Sequence, residues 1–413
     1  MTEQLSKINL IMFSMSSWHD WQQGLVNRNF HVFKQLLKHP KVSQILLVDF
    51  LPHNLKRFLR SYQKNLFSKN KDKQHQWQTV YQDLSTKCIA NANKKLFVFS
   101  TTDSFCRSKQ VIKKIKKVYT LFNDHTLPLI IWSYSPLFID YFNQWKNSFT
   151  IFDAVNNWME QPSFKNYRKR LQNNYQKISR QSDLVFTLSP NLSDLFKRLG
   201  RSTNTYYIPS GVDLAHYQLS KQQENELIAL PRPIIGYIGT IQKRIDTDLL
   251  EYLAKKNPNK SFVFVGPVWP HFLRGVRRSA SSLKQLENFS NIYFLGQKSY
   301  QQLPNYLSQF DVAIIPHRLD EFTKYTAPLK LLEYLAAGKP VVSTPIGEIK
   351  KIFPSLYFAE NYSEFNQQIQ LALTEDNEQL RKQRIDLVKE YSWEKTINRM
   401  LKLINQQFIK TKD

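Results

Sequence analysis

Residues 311–345, DVAIIPHRLDEFTKYTAPLKLLEYLAAGKPVVSTP, constrain the fold more than any other stretch of the chain. They read as strand, polar loop, helix, glycine stop and strand. Residues 311–315 are a short apolar run closed by Pro316. Thr326 stands where a helix N-cap is expected, and Pro328 suits the first helical turn, where its missing N–H has no partner to lose. Leu331, Leu332 and Leu335 then line one helical face, Gly338 sits where the helix must stop, and residues 340–344 open a second buried strand. Lys330 and Glu333 are three apart and share a face near the helix N-terminus. Free backbone N–H groups, an ammonium and a carboxylate together suit a phosphorylated sugar. The amides and the ammonium hold phosphate oxygens, and the carboxylate accepts from a ribose diol. Taken alone, such a pair is more often a solvated surface pair. Its place at the carboxyl end of a strand in a mostly parallel sheet is what favours a ligand site.

The same strand–helix alternation runs through the chain. Residues 8–15 form an apolar run followed by a loop with Gly24, where a helix is expected to begin with Leu25, Phe33, Leu36 and Leu37 toward the sheet. Arg28 and His31 fall in its first two turns. Further strands are predicted at 45–50, 96–100, 129–133, 150–153, 184–188 and 206–209, with helices at 109–118 and 191–199. Asp153, in IFDAVNNW, then ends a strand and becomes the candidate for orienting or deprotonating an acceptor hydroxyl, although strand-end aspartates often serve only turns. Polar residues near 214–230 look like an interdomain connection. A second series begins at IIGYIGTI from Ile234. It continues through helix 247–255, strands 262–265 and 292–295, helix 300–308, and helices near 362–374, 377–391 and 393–408.

With 413 residues the chain can bury two cores, and a 42% hydrophobic, 14% aromatic composition is that of a globular protein. Ten glycines leave little room for glycine-rich phosphate loops. Cys88 and Cys106 form no metal pattern, and a reducing compartment is the simpler reading. The first residues read as a strand, not a secretory leader. No uncharged apolar run approaches the ~20 residues that span a bilayer. Charge is uneven: residues 1–215 hold 31 Lys and Arg against 13 Asp and Glu, a balance of +18, while 216–413 hold 27 against 20, or +7. A basic first half points to an anionic neighbour such as a phospholipid surface, a lipid-phosphate acceptor or nucleic acid; plain solubility charge competes with all three. Residues 53–95 are polar and lysine-rich with scattered aromatics. They read as an amphipathic, surface-lying segment or as an ordinary insertion.

Several segments in order carry a family resemblance: IFDAVNNW, LSPNLSDLF, YIPSGVDLAHY, IIGYIGTIQKRIDTDLL, FVFVGP, IYFLGQKSYQQLPNYLSQFDVAIIP, and EFTKYTAPLKLLEYLAAGKPVVSTPIGE. The chain resembles nucleotide-sugar glycosyltransferases of family 4 with the GT-B fold, in the branch akin to teichuronic-acid biosynthesis glycosyltransferases. The likeness is strong over about 150–350 and weak over 1–150. It implies an α/β architecture of two Rossmann-like, doubly wound domains facing a central cleft. Residues 1–213 would form the acceptor domain and 231–390 the nucleotide-sugar donor domain, with a last helix in 391–413 returning to the first domain. It also implies that Glu333 binds the donor ribose and Lys330 its diphosphate. Gly239, Arg244 and Thr326 would complete the donor side, and Gly24, Arg28 and Asn157 would line the cleft on the acceptor side. The family's paired glutamates, eight apart, would place a carboxylate at 325, where this chain has Tyr325. Asn156 and Asn157 stand where relatives often carry carboxylates, and the first loop has one glycine where many have two.

The activity so implied is sugar transfer from a nucleotide-diphosphate sugar to a lipid-linked or cell-envelope polysaccharide acceptor, retaining and metal-independent. It needs no cofactor, because the nucleotide sugar is a substrate. A leaving diphosphate must be stabilised by positive charge and helix N-termini. A nucleotide-sugar epimerase on the same fold is the runner-up enzyme. A basic membrane- or nucleic-acid-binding relative without catalysis is the alternative of another class, although no RNA motif supports nucleic acid. The expected location is the cytoplasm, peripheral on the inner face of the cell membrane.

Overall fold

The computed structural model describes residues 7–22, 24–49, 77–103, 108–218, 225–268 and 285–410. The chain divides into two compact units, Met1–Ile208 with Ile397–Asp413, and Pro209–Thr396. The division falls at 208/209, ahead of the polar stretch read as a connection, and again within the last helix.

The first unit is built on a nine-stranded sheet in the order β3-β4-β5-β2-β1-β6-β7-β8-β9. Seven strands, β1 (Ile8–Phe13), β2 (Val42–Val48), β5 (Leu96–Thr101), β6 (Leu129–Ser133), β7 (Phe149–Ala154), β8 (Leu184–Thr187) and β9 (Thr205–Tyr207), run parallel to one another. β1 and β6 are fully buried and apolar but for Asn9 and Ser133, as strands covered on both faces tend to be. One edge was not foreseen. β3 (Trp77–Gln82) and β4 (Thr86–Asn91) form an antiparallel hairpin against β5, inside a stretch read as loop or insertion. The lysine-rich residues 53–75 lie outside the described residues.

The first helix pattern also needs correction. Gly24 does not start a helix: a short α1 (Trp18–Gln22) precedes it, and Gly24, at φ 86°, closes that turn by donating its N–H to the Trp21 carbonyl at 3.0 Å. Asn27 caps the true helix, α2 (Arg28–Lys38), by accepting from Phe30 N. Its buried residues include Arg28, Asn29, Val32, Phe33 and Leu36, so Leu25 lies outside it. Further helices are α3 (Ser108–Tyr119), α4 (Arg168–Gln181) and α5 (Pro190–Arg198). Within this unit the end of the last helix packs Phe408 edge-on to Phe149, 5.8 Å between centroids, and Gln407 donates to the Tyr206 hydroxyl.

The second unit holds a six-stranded, all-parallel sheet in the order β12-β11-β10-β13-β14-β15. The strands are β10 (Ile234–Ile238), β11 (Ser261–Val265), β12 (Ile292–Phe294), β13 (Val312–Ile315), β14 (Val341–Ser343) and β15 (Tyr357–Phe358). Period-2 alternation sends neighbouring residues to opposite cores. Ile234, Ile238, Val263, Val265, Ala313 and Ile315 meet Leu331, Leu335 and Phe310 on one face. Ile235, Tyr237, Phe262, Phe264, Val312 and Ile314 meet Leu249, Leu253 and Phe365 on the other. The helices are α6 (Leu214–Gln218), α7 (Thr247–Lys256), α8 (Leu303–Ser308), α9 (Leu329–Ala336), α10 (Ile349–Ile352), α11 (Tyr362–Glu375), α12 (Glu378–Leu387) and α13 (Trp393–Lys410).

Each sheet reverses its winding once. In the second unit the chain moves outward through β10, β11 and β12, then returns beside β10 with β13. In the first it moves out from β1 through β2 and returns beside β1 with β6. The carboxyl ends at such reversals part the flanking loops and leave the natural ligand crevice of a parallel sheet.

Gly236, in the middle of β10, faces the Phe310 ring, which would lie 2.1 Å from an added Cβ. Phe310 is buried in the core and has no room to retreat. Gly236→Ala is therefore expected to destabilise the protein by about 1–3 kcal/mol, the usual overpacking range. Urea unfolding followed by circular dichroism measures it, and an unchanged midpoint would contradict the packing described.

Candidate functional site

In the second unit the site grows from the ends of β10 and β13 and the start of α9. Tyr334, on the buried side of α9, accepts from Ile238 N at 2.7 Å and donates to Ile238 O at 3.2 Å, which ties the helix to the end of β10. The helix begins at Leu329 with Pro328 as N-cap. Thr326 is not the cap: its hydroxyl donates to Thr323 O at 2.8 Å and closes the short 3-10 turn Thr323–Tyr325. Tyr325, at the position of the family carboxylate, is buried in that turn.

In the first turn of α9, Lys330 reaches back over β10. Its Nζ lies 3.9 Å from the Tyr237 ring centroid and donates to the Tyr237 hydroxyl at 2.5 Å, while that hydroxyl donates to Thr240 O. Gly239, at φ 141°, leaves the space this needs: an added Cβ would stand 2.7 Å from the ammonium. Gly266, which follows β11, comes closer still, with its own Cβ position 2.2 Å from the Gly239 carbonyl oxygen. Arg244 packs its guanidinium over Phe322, 5.6 Å from the ring centroid. With the Gln242 amide oxygen turned toward it, Arg244 donates to that oxygen from Nη2 and Nε at 2.5 and 2.8 Å.

Electrostatics follow from enclosure. Lys330 and Glu333 are half-buried, and protein atoms crowd both side chains. Burial, with the nearby Arg244 charge, holds the Lys330 ammonium well below the usual lysine range; Glu333 opposes this. Burial pushes the Glu333 carboxyl up to about 7, against a hydrogen bond from the Tyr217 hydroxyl and the charge of Lys330. Tyr217, on α6, lies edge-on to Tyr300, whose ring stacks on His216 at 4.0 Å. His317, just past β13, is 1% exposed and neither ring nitrogen has a hydrogen-bond partner. Burial and the charges of Lys330 and Arg244 keep it neutral. Two cations, one carboxylate and a neutral imidazole thus meet at the switch point, an arrangement short of negative charge.

The sequence-based candidates Gly239, Arg244, Lys330 and Glu333 are brought together here. Tyr237, Tyr217 and His317 were not singled out. Their roles come from contacts between residues far apart in sequence, and only the nearness of His317 to a strand end could have pointed to it.

In the first unit the corresponding reversal brings Arg28 and Asp153 together. The Arg28 Nε donates to both carboxylate oxygens of Asp153, at 3.1 and 3.2 Å. The side chains are 4% and 0% exposed. Asp153 was expected to face an acceptor; instead its carboxylate is wholly buried, because β7 ends beneath the guanidinium. Burial raises its pKa and Arg28 opposes the rise. Asn157, also buried, turns its side-chain oxygen to accept from Met159 N at 3.1 Å, a local turn. Gly24 only closes the turn after α1.

Glu333 titrates upward, and so does Asp49 at the end of β2, pushed up to about 7 by burial while it accepts from Ser100 and from Trp18 N. A carboxyl whose folded pKa exceeds its unfolded one binds more protons folded, so stability is lost as pH rises through that window. Melting temperature is therefore expected to fall between about pH 5 and pH 8, and Glu333→Gln should flatten part of the slope. Calorimetric scans across that range check it; a slope identical in the variant would show that Glu333 is not so enclosed.

Residues 232–375 match the family described as Glycosyl transferases group 1. Over 147 residues the chain is 28% identical to the "Putative teichuronic acid biosynthesis glycosyltransferase TuaH" of Bacillus subtilis (strain 168), a match that spans 35% of this chain and 35% of that relative. Over nearly full length the fold is similar to that of sucrose-phosphate synthase from Thermosynechococcus elongatus, with TM-score 0.71, 16% identity, and 97% of this chain and 99% of that one covered. It is likewise similar to Anabaena HepE solved with UDP (TM-score 0.65, 14% identity, 97% and 100% covered). A third neighbour is the E. coli trehalose-6-phosphate protein bound with UDP-2-fluoro glucose (TM-score 0.67, 13% identity, 96% and 99% covered). Residues 232–375 thus resemble the group 1 glycosyl transferases, and the chain as a whole shares the GT-B fold of two parallel-sheet domains.

Proposed function

We propose that the chain transfers a sugar from a nucleoside-diphosphate sugar to a lipid-linked or cell-envelope polysaccharide acceptor, retaining the anomeric configuration and using neither metal nor cofactor. The observation that carries this reading is the meeting of Lys330, Arg244 and Glu333 at the start of α9, where negative charge is lacking. Breaking the glycosidic bond to a diphosphate leaves charge on the departing oxygens. Fixed cations and the free N–H groups of a helix start stabilise that charge as it develops. Lys330 and Arg244 fill this role without an added ion. Glu333 accepts from the ribose diol in the ionised form that the neighbouring Lys330 charge favours. Anabaena HepE was solved with UDP and the E. coli trehalose-6-phosphate protein with UDP-2-fluoro glucose, and the Bacillus relative is named for teichuronic acid biosynthesis; these support the donor and acceptor classes.

Positioning at an anionic membrane face is the second part of the reading. Its support is the +18 balance of residues 1–215. Among the described residues no helix is long and apolar enough to cross a membrane. Each basic residue close to an anionic surface contributes roughly 1 kcal/mol of attraction, screened by salt.

Calorimetry with UDP and GDP tests the donor site. Glu333→Gln and Lys330→Ala are each expected to weaken nucleotide binding by about 1–3 kcal/mol, the scale of a hydrogen bond to a charged group; unchanged affinity in both would sink the reading. Mass spectrometry of products from a panel of nucleotide sugars and lipid-linked acceptors identifies the substrates, and a donor epimerised without transfer would replace transferase with epimerase. For the membrane, flotation with vesicles containing acidic lipid should show binding at low salt and release at high salt. Indifference to acidic vesicles at low salt would make the charge a solubility feature.

A further inference from the structure

At the switch point of the first unit, one buried cation has more donors than partners. Arg28 is 5% exposed, and its Nε is taken up by Asp153 while Nη1 and Nη2 have no hydrogen-bond partner. The hydroxyl of Tyr134, which follows β6, is also buried without a partner and lies within the fields of both Arg28 and Asp153. Burying donors without acceptors costs free energy that a fold seldom leaves uncompensated.

The surrounding chain fixes this arrangement. Asn29 donates to the Ser14 hydroxyl at 3.0 Å and Asn27 to the Ser16 hydroxyl at 2.8 Å, which ties the start of α2 to the end of β1. Arg28 is the first residue of that eleven-residue helix, so the partial positive charge of the helix start lies with it. Asp153, at the end of β7, holds the guanidinium through Nε alone, and the two terminal nitrogens are left side by side.

We propose that Arg28 and Tyr134 bind an acidic group of the acceptor, a carboxylate or a phosphate, and that Asp153 is a positioning residue for Arg28 instead of a base on the acceptor hydroxyl. This rests on the transfer reading above. A planar guanidinium with two parallel N–H groups matches a carboxylate or phosphate edge in a bidentate way. A neutral hydroxyl would engage one nitrogen and leave the other unmet. The charge balance agrees: Arg28 and Asp153 cancel, and an incoming anion is met by the helix start. The donor diphosphate is provided for separately, by Lys330 and Arg244 in the second unit.

The test is calorimetry on the full chain with glucuronate, glycerol phosphate and neutral methyl glucoside, each with and without UDP. Wild-type protein should bind one of the two anions and not methyl glucoside. Binding of glucuronate alone assigns an acidic sugar, and of glycerol phosphate alone a phosphate-bearing acceptor. Arg28→Gln should lose about tenfold or more in anion affinity and keep its UDP affinity. Should that variant fold poorly by circular dichroism, Tyr134→Phe serves in its place, with a loss of a few fold. Asp153→Asn should bind the anion several-fold more tightly, because the guanidinium then lacks its counter-charge. The proposal is overturned if wild type binds UDP but neither anion, or if Arg28→Gln and Tyr134→Phe bind the anion as wild type does. The positioning role is overturned if Asp153→Asn leaves anion affinity unchanged and abolishes turnover. A chain that binds the anion but no nucleotide would instead refute the transfer reading and leave this site standing.

Discussion

An ammonium placed where water is largely excluded governs the second unit. Lys330 rests on the face of Tyr237 and is held by that residue's hydroxyl, next to Arg244 and a neutral His317. Ring and hydroxyl offset only part of the cost of removing a charge from water. The arrangement persists because several features hold it in place: Tyr334 pins α9 to β10, Gly239 leaves room for the ammonium, and Glu333 stands one turn along the same helix. Such a site is electrostatically incomplete by itself. A bound anion would relieve it, so binding and stability draw on the same charges.

The two units solve a similar problem differently. Both use the reversal of strand order in a parallel sheet, and both send a cation from the helix side across the carboxyl ends of strands. In the second unit the cations outnumber the carboxylates, which suits a ligand with more than one negative charge. In the first, Arg28 is matched one to one by Asp153, and what remains is hydrogen-bonding capacity. The second unit thus holds a multivalent field, and the first a geometrically exacting fork.

Much of the fold was legible because buried parallel strands announce themselves as short apolar runs, and residues 129–133 and 184–188 needed little correction. The β3–β4 hairpin was not, since Trp77–Gln82 mixes polar and aromatic residues and packs at an edge. Helix starts were the weaker point. Gly24 and Thr326 are plausible boundary residues by type, yet each closes a turn that the sequence did not reveal, and the caps fall to Asn27 and Pro328. At the site, the cluster around α9 was legible from spacing along one helix. The Arg28–Asp153 pair was not, because 125 residues separate its members and nothing local indicates which partner a strand-end aspartate will take. Buried tyrosines escaped for a related reason, their hydroxyls being indistinguishable in sequence from ordinary core aromatics.

The contact between Gly266 and Gly239 has a consequence for how this site can change over evolutionary time. The peptide of one glycine occupies the volume where a side chain on the other would be, and both backbones adopt φ angles that L residues seldom take. Neither position accepts a side chain: at Gly266 the obstruction is the Gly239 backbone, and at Gly239 it is the ammonium of Lys330. A lineage that keeps the lysine therefore keeps both glycines, and the turn beneath Lys330 is a frozen part of the inheritance.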